Sequence, residues 1–177
     1  MIQWLMLILP FLTLLFMKSR DVKRYMPSGL LSIVLTTIVH DVGVTLGFWV
    51  VHETTFPFNE MMPYFYGTMP IMTMWVLKFT FGNYWRYMIT NAVLDTGFVY
   101  LLLDFFYPVT GVYGLVGITP LQTLPIALLL AVIIYPYQIW QEKLDASSQR
   151  TNFPAKLRPA AAKALPKKDN NSDNEEP

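Results

Sequence analysis

The chain has 177 residues, of which 54% are hydrophobic, 15% aromatic and only 14% charged, whereas a soluble domain usually carries about a quarter charged residues. The net charge of +1 says little by itself, because basic and acidic residues are strongly segregated along the chain. The apolar residues come in runs of about 17 to 24, which is typical of membrane spans and excludes an ordinary soluble domain. The absence of cysteine excludes a disulfide scaffold, thiolate metal sites and cysteine catalysis.

The first two apolar runs are separated by a basic block. Residues Met1–Met17 are uncharged, and Lys18–Arg24 follows with four basic residues. A secretory signal peptide carries its positive charge before the apolar region and a small-residue cleavage site after it, so we expect residues 1–17 to remain as a first spanning helix. The second run, Ser28–Val51, would be about 36 Å long as a helix, which is enough to cross a hydrocarbon core of about 30 Å.

Three further spans are predicted in the second half of the chain, at residues 64–81, 87–106 and 120–140. The uncharged loop Pro108–Thr119 before the fifth span contains a glycine at every third position from 111 to 117, and Pro125 and Pro136 lie near the two ends of the fifth span. These features leave two interpretations open, a plain loop and a partly re-entrant segment.

Residues 141–177 form a polar tail with almost no aromatic side chains, basic in its first part and acidic at its end. Such a segment cannot bury enough apolar surface to offset the entropy lost on ordering, so we predict disorder. Its basic part either lies against anionic lipid or belongs to a solvated tail whose charge sets the topology.

The distribution of basic residues predicts the orientation. Of the 13 Lys and Arg residues, four lie between spans one and two, two near the connection of spans three and four, and seven in the tail. The other two loops have none. By the positive-inside rule, the sequence predicts an all-α, polytopic transmembrane bundle of five helices in the plasma membrane, with the N-terminus outside and the C-terminus in the cytoplasm.

The candidate functional residues are polar side chains inside these spans. His40 and Asp41 lie near the middle of the second predicted span, and Asn91 and Asp95 lie on the fourth. An ionisable residue near the centre of the bilayer costs at least about 2.5 kcal/mol on insertion scales, so each is a candidate ligand-binding or proton-responsive group. Because the two spans place them at comparable depths, we expect His40 or Asp41 to meet Asp95.

A second pattern on the same span concerns helix packing. Thr36, His40, Gly43 and Gly47 follow helical spacing, and the two glycines form a GxxxG motif. Small residues let another helix approach closely, so we predict that this stripe packs inside the bundle and carries His40 with it.

Two functions remain open for the polar cluster. It can be a structural network that holds helices, or partner proteins, together in a non-enzymatic interaction protein. Alternatively, the protein is a small carrier or sensor for a proton, a cation or a small ligand.

The sequence contains no phosphate-binding loop, HExxH or GxSxG motif. We therefore predict no enzymatic activity, no catalytic residue, no cofactor and no metal site. The expected partners are the lipid bilayer and a second copy or another membrane protein, and no nucleic acid.

The layout of a short first span, a basic turn and polar residues in the second span resembles uncharacterised small multi-pass membrane proteins of Bacillus-like bacteria. This resemblance implies an integral protein of a bacterial plasma membrane and no particular activity. The five-helix tryptophan-rich sensory proteins are similar in size and topology, but their Trp-Pro-Pro motif is missing here, so their porphyrin-type ligands are not implied.

Overall fold

The computed structural model describes residues 2–52, 56, 58 and 61–151. These residues form the helices α1 (Ile2–Thr13), α2 (Ser19–Thr45), α3 (Thr68–Thr80), α4 (Tyr84–Thr110) and α5 (Pro120–Thr151). By length and composition, α2, α4 and α5 are able to cross a membrane. The helices α1 and α3 have 12 and 13 residues, or about 18 to 20 Å, and are shorter than a hydrocarbon core.

Helices α2 to α5 form a ring in which each helix packs against two neighbours, α2 on α3, α3 on α4, α4 on α5 and α5 on α2. Helix α1 lies outside this ring against α3. There the Thr68 hydroxyl donates to the carbonyl oxygen of Met6 at 2.8 Å. Gly67 permits the close approach, because a Cβ at that position would overlap the backbone of Leu7.

Helix α2 has an outer apolar face and an inner polar face. Its exposed large apolar residues recur every four positions: Leu30, Val34, Ile38 and Val42. Its buried residues include small and polar side chains: Ser28, Gly29, Ser32, His40 and Gly43. The expectation that His40 points into the bundle is therefore met, and the opposite face is suited to contact with lipid acyl chains.

The predicted start of the second span was wrong. Helix α2 begins at Ser19, nine residues before the predicted boundary, so the basic block forms its first turns instead of a loop. The carbonyl oxygen of Lys18 accepts hydrogen bonds from the N–H groups of Asp21 and Val22. The negative charge of Asp21 in the first turn also favours this start, because the N-terminal end of a helix carries partial positive charge.

The predicted end of the second span was also wrong, because Gly47 terminates α2. Gly47 has φ = +72°, a left-handed conformation that glycine adopts without steric cost. Its N–H donates to the carbonyl of Val44 at 3.0 Å, and the N–H of Phe48 donates to the carbonyl of Gly43 at 2.8 Å. This pair of bonds is the Schellman arrangement that ends many helices. The predicted packing stripe therefore stops at Gly43.

Gly43 is covered by Trp49 and not by another helix. A Cβ at Gly43 would overlap the indole ring, and the indole N–H donates to the carbonyl oxygen of His40 at 3.2 Å. The chain turns back after α2 and lays Trp49, which is 5% exposed, over the end of the helix. The helix–helix contact that the GxxxG motif predicted at Gly43 is therefore occupied by the protein's own tryptophan.

The connections after α2 and α4 form a small antiparallel sheet. Strand β1 (Trp49–Val51) pairs with β2 (Tyr113–Leu115), with Trp49 opposite Leu115 and Val51 opposite Tyr113. The structure is otherwise mostly helical, as the all-α prediction requires, and the glycine-rich loop contributes a short strand instead of a re-entrant helix. We call this end of the bundle the sheet end.

The last two helices are longer than predicted. Helix α4 extends the predicted span at both ends and contains a nine-residue π-helical stretch, Phe98–Phe106. Helix α5 continues to Thr151, so the first eleven residues of the predicted disordered tail, 141–151, are helical. The remaining predicted tail, residues 152–177, lies outside the described residues.

The contact between Gly43 and Trp49 predicts the effect of a single methyl group. Gly43→Ala should destabilise the protein by about 1 to 3 kcal/mol, because the added Cβ forces the indole ring out of place. Gly97→Ala is the matched control: Gly97 has φ = −59° and open space around its Cβ position. That change should be neutral or stabilise the helix by about 0.5 to 1 kcal/mol. Thermal unfolding in detergent measures both, and equal effects would contradict the Trp49 contact.

Candidate functional site

A cavity of about 130 Å³ lies between the helices of the α2 to α5 ring. The polar side chains other than tyrosine that line it are Ser32, Thr36, His40, Thr73, Asn91, Asp95 and Thr123. The aromatic side chains that line it are Trp49, Tyr64, Phe65, Tyr87, Phe98 and Tyr113. On α4 the lining runs from Tyr87 to Phe98, with Leu103 beyond, so the cavity extends at least about 16 Å along the bundle.

The cavity brings together four of the residues that the sequence singled out, Thr36 and His40 from α2 and Asn91 and Asp95 from α4. Tyr87, which lies four residues before Asn91, also lines it. Helical spacing places the α2 residues on one face of α2 and the α4 residues on one face of α4. Because α2 and α4 belong to the same ring of helices, both faces line the same cavity. What these residues do there remains a prediction.

Asp41 and Gly47 do not take part in this cluster. Asp41 is exposed and is not among the residues that line the cavity. Consecutive residues of a helix are rotated by about 100°, so the inward position of His40 turns Asp41 away. Of the two predicted partners of Asp95, the structure therefore places only His40 on the same cavity.

The His40 ring is held between aromatic side chains near the sheet end. His40 is 3% exposed. It stacks on Trp49 with ring centroids 6.1 Å apart, and it packs against Phe65 in a tilted arrangement with centroids 4.8 Å apart. It lies five residues before the end of α2, or about 7 Å. The cluster is therefore nearer the sheet end than the predicted middle of the second span.

The hydroxyl groups around the cavity donate their protons to the backbone. Ser32, Thr36, Thr73 and Thr123 each donate to a backbone carbonyl oxygen three or four residues earlier in the chain. A hydroxyl group has one proton and two lone pairs. Each of these oxygens therefore keeps its capacity to accept a hydrogen bond and has used its capacity to donate one.

N–H and O–H groups of larger side chains around the cavity also donate to backbone carbonyl oxygens. The Tyr87 hydroxyl donates to the carbonyl of Ala131 at 3.1 Å, and the Asn91 amide donates to the carbonyl of Tyr87 at 2.8 Å. The Trp49 indole N–H donates to the carbonyl of His40. The side-chain oxygen of Asn91 remains an acceptor. The lining thus offers several acceptors to a ligand, while the hydroxyl protons of its serine and threonines, the Tyr87 hydroxyl and the Trp49 indole N–H are already engaged.

Asp95 is the acidic group of the cavity. It is half-buried, and among the described residues that line the cavity there is no Lys or Arg. The described salt bridge, Arg24 with Glu142, lies elsewhere. An ionised carboxylate inside a membrane protein is costly without a counter-charge. Asp95 is therefore expected to carry a proton or to bind a cation.

The groups available for a metal ion are few. Among the described residues, no three His, Asp or Glu side chains come together. At the cavity, His40 and Asp95 are the titratable groups other than tyrosine.

A second polar network, which sequence reasoning missed, joins α2 to α5 at the end opposite the sheet, which we call the basic end. Gln138 and Ser28 are both 0% exposed, and the Ser28 hydroxyl donates to the Gln138 side-chain oxygen at 2.7 Å. The Gln138 amide nitrogen lies 3.2 Å from the Arg24 carbonyl and 3.2 Å from Glu142 Oε1. Arg24 in turn donates to Glu142 at 2.8 Å. Gln138, a polar residue inside an apolar run, was the signal that could have revealed it.

No protein-family model, curated protein or solved structure matches this chain. The cavity and the chemistry of its lining are therefore the basis on which the function is inferred.

The shared cavity predicts energetic coupling between His40 and Asp95. His40→Ala should destabilise the wild type more than it destabilises Asp95→Asn, with a coupling energy of about 0.5 to 3 kcal/mol, because residues that share a cavity do not act independently. Asp104→Asn is the matched control, because Asp104 is exposed and lies nine residues further along α4. Its effect should add to that of His40→Ala within about 0.5 kcal/mol. Unfolding of the purified variants measures both cycles, and additivity in the Asp95 cycle would refute the coupling.

Proposed function

We propose that the protein is a non-enzymatic, multi-pass membrane protein that binds a small solute or a proton in its internal cavity and works as a sensor or a carrier. The observation that supports this most is the convergence of His40, Asn91 and Asp95 on one cavity of about 130 Å³. An apolar cavity of about 150 Å³ accepts a molecule of the size of benzene. A network that served only to hold helices together would be expected to fill its space and to pair its carboxylate.

We further propose a bacterial plasma membrane location with five spans, the N-terminus outside and the C-terminus in the cytoplasm. The positions of the 13 Lys and Arg residues support this orientation. The fold is consistent with it, since Arg24 lies over the Phe81 ring at 5.3 Å and pairs with Glu142, while the two connections that lack basic residues pair through the sheet. The 3-10 turn Pro63–Phe65 precedes the short α3 and lengthens its path toward the sheet end.

The two ends of the bundle carry different groups. Aromatic side chains, including Trp49, Tyr64 and Tyr113, line the cavity toward the sheet end. The Gln138 network joins α2 to α5 at the basic end, outside the cavity lining.

Association through the outer face of α2 is a second candidate function, and Asp41 favours it. Asp41 is exposed beside the large apolar side chains Ile38 and Val42. A carboxylate on a membrane-facing surface is costly unless it reaches water or a polar partner. A second copy of the chain or another membrane protein would supply such a partner, as the sequence suggested.

The proposed binding role predicts that filling the cavity abolishes it. Ala127 lines the cavity and is half-buried, so Ala127→Leu should occupy the space that a solute needs. We expect the variant to keep or raise its unfolding temperature, because a void is filled, and to lose at least tenfold in affinity for solutes that stabilise the wild type. Ala146→Leu, on the exposed end of the same helix, is the control.

The measurement is a thermal-shift screen of a library of small solutes against the purified protein and both variants. A wild type that responds to no solute and to no change of pH, or an Ala127→Leu variant that responds as the wild type does, would contradict binding in the cavity.

The proposed topology can be tested with single cysteines, because the chain has none of its own. Phe56→Cys and Val116→Cys should react with a membrane-impermeant maleimide in intact cells, since both residues are exposed toward the sheet end. Trp85→Cys and Ala146→Cys should react only after permeabilisation. Labelling of the second pair in intact cells would contradict the orientation.

A further inference from the structure

We propose that the ligand of the cavity is a small monovalent organic cation of the alkylammonium class, with its charge at Asp95 and its alkyl groups against the aromatic wall. This inference rests on the proposed binding function and names the chemistry of the ligand. Four independent properties of the cavity support it, namely its charge, its wall, its hydrogen-bonding polarity and its size.

The carboxyl group in the cavity favours a positively charged ligand. Asp95 lines it without a Lys or Arg among the described lining residues. A ligand with one positive charge would compensate the carboxylate inside a region of low dielectric constant. Ca²⁺ and Mg²⁺ carry two positive charges and require about six or more oxygen ligands, whereas Asp95 is the single carboxylate among the described lining residues. An alkylammonium ion carries one charge and needs no such set of ligands.

The wall of the cavity is suited to an alkylated cation. Phe98 lies three residues after Asp95, so the two side chains share one face of α4. The Tyr64 ring lies 5.4 Å from Phe98 and 4.3 Å from Phe65, measured between ring centroids. A cation within about 6 Å of an aromatic face is attracted by the ring, and aromatic cages are the usual recognition device for quaternary ammonium groups.

The hydrogen-bonding polarity of the lining disfavours anions. An anionic or carboxylate ligand needs donors, and Thr36, Thr73 and Tyr87 donate to backbone carbonyls instead. The oxygens of these hydroxyl groups remain available as acceptors, which suit a cation or a ligand that donates hydrogen bonds. We therefore expect the cavity to favour cations over anions.

The size of the cavity selects small members of this class. Its volume of about 130 Å³ is close to that of an engineered cavity that holds benzene, a molecule of about six non-hydrogen atoms. Tetramethylammonium and choline have about five and seven non-hydrogen atoms. Drug-sized ligands occupy sites of about 300 to 1,000 Å³ and exceed the available space.

The test compares choline with 3,3-dimethylbutan-1-ol, in which a carbon atom replaces the nitrogen and the shape is kept. Binding of each to the purified full-length chain in lipid nanodiscs is measured by isothermal titration calorimetry. We expect choline to bind at least tenfold more tightly than the neutral alcohol, and betaine, which adds a carboxylate, to bind more weakly than choline. This comparison uses the wild type alone and does not depend on a variant that folds.

Two variants then test whether Asp95 is the group that binds the positive charge of choline. Asp95→Asn keeps the shape of the side chain and removes its charge, so it should lower the affinity for choline at least tenfold and leave that for the neutral alcohol unchanged. Asp104→Asn, on the exposed face of the same helix, should leave both unchanged. Equal losses in the two variants would overturn the assignment to Asp95.

The remaining outcomes separate this inference from the function on which it rests. Equal binding of choline and the alcohol overturns the cation class and leaves a binding cavity in place. Failure of choline and tetramethylammonium to bind at millimolar concentration also overturns the cation class, and the solute screen with Ala127→Leu then decides whether the cavity binds anything else.

Discussion

The contact of Trp49 with the C-terminal end of α2 is the interaction on which the cavity depends. Gly47 ends the helix in a left-handed conformation, and Trp49 then packs on Gly43 and donates to the carbonyl of His40. The same tryptophan stacks on the His40 ring and begins β1. One residue thus ties together the helix end, the sheet and the candidate binding group. Without it, the sheet end of the bundle would lack both its cover and its link to the cavity.

The hydrogen-bonding character of the cavity follows from a general property of membrane helices. Serine and threonine in a span have no water to bind and so donate to carbonyl oxygens of their own helix. Four such residues, including Thr36 and Thr123, line this cavity. Their bonds satisfy the helices and at the same time leave the internal space rich in acceptors. Asp95 is the acidic group among the described residues that line this space, and no Lys or Arg is among them.

The two ends of the bundle are held together by different kinds of interaction. At the sheet end, aromatic rings pack on one another, and Tyr64, Phe65 and Tyr107 are nearly fully buried. At the basic end, Gln138 connects Ser28, Arg24 and Glu142. Aromatic packing is non-directional and depends on buried area, whereas the hydrogen-bonded network depends on the alignment of individual donors and acceptors. The ends can therefore respond to different conditions, which suits a protein that signals or moves a solute.

The amino-acid sequence indicates that the central parts of the long apolar runs are helical and which residues share a helix face, but not where the helices begin and end. Long apolar runs must be helical in lipid because their backbone groups can bond only within the segment, and the spacing of Tyr87, Asn91 and Asp95 places them on one face whatever the rest of the chain does. For that reason the pairing of α2 and α4 residues around a polar site could be anticipated.

The strand pairing, the rotation of α2 and the neighbours of its glycines depend on contacts between distant parts of the chain. The β1–β2 pair joins segments more than 60 residues apart, and neither strand has a local pattern that requires the other. The choice between His40 and Asp41 depended on the rotation of α2, because neighbouring positions differ by about 100° and either could have faced inward. The roles of Gly43 and Gly47 were likewise set by Trp49 and by the helix end, since a small residue permits close approach without specifying which group approaches.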